Sequence, residues 1–196
     1  MDGLIVPPGQ GRTLTTKAQE VTFKVTGAHS SFVSCFEVVV PSGFDVGAHT
    51  HHRSEEFFYI LEGELDVLAF EPIKRTEERW QDWESSGGDR VVHVGAGSCI
   101  FVPLGCPHAF TNSADKPARM LFQSYPPPDH ERYFEELCDI FSDGRAVDSH
   151  AVQQLRDRYD VSQITPLRYG PTSPEFHRKS ITLNSPHGDC RDKHGE

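Results

Sequence analysis

Apolar residues recur at every second position through most of the first two thirds of the chain. VTFKVTG (21–27), SFVSCFEVVV (31–40), FDVGAHTH (44–51), EEFFYILEG (55–63) and ELDVLAF (64–70) each read as strands. Pro41-Ser42-Gly43 and Glu62-Gly63 supply turns between them. A charged, irregular stretch over 71–90 then reads as a long hairpin insertion. Its Trp80 and Trp83 are expected to anchor the loop rather than cover a pocket mouth. RVVHVGAG (90–97), SCIFVP (98–103), HAFTN (108–112) and ARMLFQSY (118–125) restore the alternation. Strands this short and this regularly punctuated predict a sandwich or barrel.

The period changes after Pro126-Pro127-Pro128. DHERYFEELCDIF (129–141) places Tyr133, Leu137, Ile140 and Phe141 on one helical face, and Asp148 is a suitable N-cap for SHAVQQLRDRY (149–159). The expected organisation is an arm over 1–20, a β-barrel over 21–125, two short helices packed on the barrel exterior over 126–165, and a polar extended tail over 166–196.

Composition narrows the function classes. Nineteen Lys and Arg against 29 Asp and Glu give a net charge of −10, which speaks against nucleic acid or an anionic membrane as partner. No apolar run approaches the roughly 20 residues of a membrane helix. The opening MDGLIVPPGQGR lacks the pattern of a signal peptide, so a cytoplasmic protein is expected. Five cysteines without a CxxC pair argue against a disulfide framework or a thiolate zinc site. Tolerated thiols are expected, Cys106 included.

Two segments carry candidate chemistry. In GFDVGAHTHHRSEEFFYILEG (43–63), His49 and His51 share one strand face, and His52 points the other way. A turn near His52-Arg53-Ser54 would bring Glu56, Phe58 and Ile60 onto the inward face of the next strand. In GSCIFVPLGCPHAFTN (97–112), the Pro103-Leu104-Gly105 turn delivers His108 to a strand, with Phe110 on the same face. An acidic residue inside an apolar strand is costly unless it is paired or metal-bound. Two imidazoles and a carboxylate converging from paired strands, with a third imidazole within reach, suit a divalent metal. His93 reads as a surface or core histidine, and Tyr59 as packing between sheet and helices.

These segments resemble the two cupin motifs. Gly43, His49-x-His51, Glu56 and Gly63 fit the first; Gly97, Pro103-x-Gly105, His108 and Asn112 fit the second. The resemblance covers roughly residues 20–125. It implies an all-β fold, a double-stranded β-helix (jelly-roll) barrel with a short C-terminal helical segment. It also implies one divalent metal, Fe, Mn, Ni, Co or Zn, held by His49, His51, Glu56 and His108. The layout of one motif pair followed by helices is similar to single-domain quercetinase-like cupins.

By that likeness the chain is a metal-dependent dioxygenase of an enolic or phenolic aromatic substrate such as a flavonol. Glu56 would be the catalytic base, and Phe58, Ile60 and Phe110 would line the substrate pocket. The alternatives are a non-oxidative cyclase, isomerase, lyase or dehydratase of secondary metabolism, and a non-catalytic small-molecule-binding cupin. Dioxygen and a small molecule are the expected partners. A homodimer through the 21–27 strand is expected as well.

Overall fold

The computed structural model of the protein describes residues 3–16, 18–142 and 148–169. Most of the expected tail, from residue 170 on, lies outside the described residues. Among the described residues, eleven strands form two antiparallel sheets. The larger contains β1 (Thr13–Thr15), β2 (Glu20–Val25), β3 (Ser34–Val40), β10 (Ala118–Tyr125), β5 (Glu55–Glu62) and β8 (Cys99–Val102), in that spatial order. The smaller runs β11 (Ser162–Gln163), β4 (His49–Thr50), β9 (His108–Thr111), β6 (Glu64–Ala69) and β7 (Val92–Gly95). The all-β expectation therefore holds: two packed sheets, with helices α1 (His130–Ser142) and α2 (Ser149–Arg158) added after the last long strand.

Cross-strand register explains where the core sits. Phe36, Phe122 and Phe58 stand opposite one another on β3, β10 and β5. Their rings stack with centroids 5.8 and 5.2 Å apart. Phe110 of the facing sheet meets Phe58 at 5.9 Å. The adjacent row on the same inner face is polar: Ser34, Ser124 and Glu56 face each other in register. One wall of the interior is thus an aromatic ladder, with a row of buried hydroxyl and carboxyl groups beside it.

The 71–90 insertion anchors as expected. Trp80 and Trp83 are buried against Ala48, Leu68 and Ala109, which point away from the interior of the smaller sheet. Trp80 Nε1 and Gln81 Nε2 both donate to the Asp45 carboxylate at 2.9 Å, tying the insertion to the segment that precedes the histidines.

Several expectations are corrected. Helices α1 and α2 contribute Tyr133, Phe134, Leu137, Phe141, Val152 and Leu155 to the same core as Phe23 and Phe36. Tyr59 is not covered by them; it is 39% exposed on the outer face of β5. β2 is not a free edge, because the three-residue β1 pairs with it. The strand expected over 44–51 is regular only at His49–Thr50. Cys35, Cys99 and Cys106 are free thiols, whereas Cys138 is disulfide-bonded, so the thiols are not all tolerated singly.

Candidate metal centre

The four candidate ligands reach the interior from three strands and one turn. His49 on β4 stands directly opposite His108 on β9, with ring centroids 4.1 Å apart. His51 follows β4, and its ring lies 5.1 Å from each of the other two. Glu56 projects inward from β5 between Ser124 and Val102 of the neighbouring strands. All four residues are at most 5% exposed, and one ligand atom from each can be chosen so that all lie within 4.8 Å of one another.

Local backbone chemistry sets this convergence. Gly47, two residues before His49, has φ +70°, and a Cβ there would collide with the carbonyl oxygen of Thr165. Only glycine meets both demands. Gly105 (φ +77°) makes the turn before His108, and its N–H bonds the His51 carbonyl at 2.8 Å, joining the two motifs. Asn112 is fully buried; its side chain bonds Val40 O and Lys116 O at 2.9 Å and closes the end of β9.

Each imidazole is held by its far nitrogen. His49 Nδ1 lies 2.8 Å from Gly47 O, His51 Nδ1 2.8 Å from Asp160 O, and His108 Nδ1 3.1 Å from Cys106 O. A carbonyl can only accept, so each Nδ1 carries a hydrogen, and a ring that is neutral, as a metal ligand must be, turns its Nε2 lone pair inward. His51 Nε2 and His108 Nε2 each lie 3.1 Å from a Glu56 oxygen. His51 Nε2 is nevertheless buried without a hydrogen-bond partner. Lone pairs of three rings and a carboxylate facing one another are satisfied by a cation at their centre. The residues therefore fit a divalent metal, with ligand types common to Fe, Mn, Ni, Co and Zn.

Electrostatics agrees. Burial opposes ionisation of Glu56, but the His51 charge and the hydrogen bond to His108 outweigh it and hold the carboxyl well below its ordinary range. Burial also disfavours protonated His51, yet the Glu56 charge raises its pKa. His49 is pushed well down, first by burial and then by the charges of His108 and Arg156. The group is built to keep Glu56 anionic and to hold positive charge beside it.

The other candidates fall as follows. Phe58, Ile60 and Phe110 form an apolar wall beside His108, and the cavity among them measures about 10 Å³, which is about the room one water needs. Cys106 is half-buried, and burial raises its thiol pKa, which favours an inert thiol. His93 is a surface residue paired with Asp66 at 2.8 Å and Glu64 at 3.2 Å.

Three residues near the site were not anticipated. Asp160 sits after α2 with φ +65°. Its carbonyl holds His51, and its carboxylate accepts the N–H groups of His52 (3.1 Å) and Arg53 (2.8 Å). His130 opens α1, 3.3 Å from Ser34 Oγ and ringed by Phe36, Phe122 and Phe134. Arg156 of α2 is 2% exposed. The available signal for it was a basic residue four positions after Val152, on the helix's apolar stripe.

The cupin family profile matches residues 8–140, more than half of the chain. The chain is a cupin. A further relative is an uncharacterized protein, MJ1618, of Methanocaldococcus jannaschii, 33% identical over 102 residues. That alignment takes in 50% of this cupin, which spans 64% of the relative's length. Among solved structures, the polyketide cyclase RemF from Streptomyces resistomycificus is similar at 18% identity and TM-score 0.47, over 64% of this cupin and 80% of that chain. An RmlC-like cupin from Shewanella frigidimarina matches at 14% identity and TM-score 0.47, over 64% and 92%. A sugar phosphate isomerase from Silicibacter pomeroyi matches at 20% identity and TM-score 0.44, over 58% and 62%.

Proposed function

We propose that this cupin is a metal-dependent enzyme that takes a proton from an enolic or phenolic substrate, with Glu56 as base. The observation that carries the reading is the inward set of His49, His51, Glu56 and His108, each ring held by its Nδ1 so that Nε2 faces the group's centre. A divalent metal held there supplies Lewis acidity to a substrate oxygen and, where redox-active, a route to dioxygen. Glu56 offers two oxygens, so one can serve as ligand while the other accepts the substrate proton. The apolar wall of Phe58 and Phe110 excludes water from one side.

In its oxidative form the reading is a quercetinase-like dioxygenase that cleaves an enolic or phenolic ring. In its non-oxidative form it is an isomerase, lyase, cyclase or dehydratase.

The test is turnover of a panel of enolisable acids, small phenols and flavonols by metal-loaded protein, with oxygen uptake followed in parallel with anaerobic product analysis. Glu56→Gln should keep much of the metal and lose most of the turnover. Wild-type turnover in that variant would remove Glu56 as base. Consumption of oxygen supports the oxidative form; product formed without oxygen and with zinc supports the other.

A further inference from the structure

α2 carries a cation into the interior that the reading above does not use. The Arg156 guanidinium has five N–H donors, and its one bond among the described residues runs from Nη1 to Val46 O at 3.2 Å. Arg156 Nε is buried with no partner. No carboxylate pairs with it among the described residues, although neighbouring Arg158 and Arg132 both pair with Glu136. A buried guanidinium left this way is strongly unfavourable. Among the described residues its counter-charge is missing, which points to a ligand that brings its own.

Its place links it to the ligand group. Val46, which it grips, lies three residues before His49, and the Arg156 charge bears on both His49 and Glu56. A second unused group borders the same site: Ser124 Oγ is fully buried and without a partner, directly across the strand from Glu56. Charge counting agrees. A divalent ion with three neutral imidazoles and one carboxylate leaves one positive charge, and Arg156 adds another. A neutral substrate would leave both uncompensated in the interior.

We propose that the substrate of this site is a small organic anion, anchored by its carboxylate or enolate oxygen on Arg156, with Ser124 donating a further bond. The proposal rests on the metal reading of His49, His51, Glu56 and His108, and it narrows the substrate to anions.

The test uses full-length protein loaded with cobalt(II), with malonate as probe and malonamide as its neutral counterpart. Metal content is measured first in wild type, Arg156→Gln and Arg156→Lys, and binding is then followed by calorimetry and by the cobalt visible bands. Wild type should bind malonate and discriminate against malonamide. Arg156→Gln should hold the same metal and lose malonate affinity by about tenfold or more. Arg156→Lys, which keeps the charge, should retain part of the discrimination even if the Gln variant folds poorly. Equal malonate affinity in metal-loaded wild type and Arg156→Gln would overturn the anion anchor alone, as would wild type that binds malonamide equally well. Wild type that takes up no cobalt would overturn the metal reading itself.

Discussion

Substituting Phe for His130 isolates one buried titration. His130 is 3% exposed, and burial lowers its pKa from an ordinary 6.5 to about 4, the nearby Glu56 charge opposing only in part. Its folded pKa lies below its unfolded one, so on acidification the unfolded chain takes the proton first. The stability it contributes is fully present above about pH 6.5 and is lost as pH falls through about 4. At about 1.4 kcal/mol per pKa unit, the interval amounts to about 3 kcal/mol. Phe fits a site already ringed by Phe36, Phe122 and Phe134, and it forfeits only the 3.3 Å contact with Ser34 Oγ. That loss does not change with pH. Urea unfolding of metal-free wild type and His130→Phe, at intervals from pH 7.5 to 4, reads the difference in pH dependence rather than in absolute stability. Wild type should lose about 3 kcal/mol more than the variant across the range. Parallel stability curves would refute the assignment of His130 as a buried neutral imidazole.

Further outcomes concern the ligand group. His49→Ala and His108→Ala should each release the metal and abolish the rise in thermal midpoint that added metal gives wild type, because a ligand bound only by the folded state stabilises it. Unchanged metal content in either variant would mean the assignment is wrong. Asp160→Gly keeps the left-handed backbone and the carbonyl that holds His51, but removes the acceptor for His52 N and Arg53 N. Metal affinity should fall by roughly tenfold, as for other groups that orient a ligand. Competition with a coloured chelator measures this, and an unaltered affinity would reduce the Asp160 carboxylate to a loop contact.

The ligand set was legible because its signals are local. Period-two alternation put Glu56, Phe58 and Ile60 on one face, and the Gly47 and Gly105 turns sit in the same short segments as the histidines they place. What escaped is non-local. Asp160 and Arg156 act on the residues flanking β4 from more than 100 residues away, and nothing in either sequence neighbourhood names that partner. β1 and β11 are three and two residues long, too short for alternation to register. The 44–51 segment alternates well enough to suggest a strand, yet Asp45 is drawn aside by Trp80 and Gln81, and Gly47 turns the backbone. Tyr59 was assigned the correct face, but parity says which way a side chain points and not what covers it.

Diffraction at the absorption edge of a bound transition metal tests the metal centre most directly. Crystals of protein loaded with one equivalent of that metal should show one anomalous peak, about 2.0–2.2 Å from Nε2 of His49, His51 and His108 and from a Glu56 oxygen. A blank map at that point, or a peak only at the surface cluster of Glu64, half-buried Asp66 and His93, would contradict it.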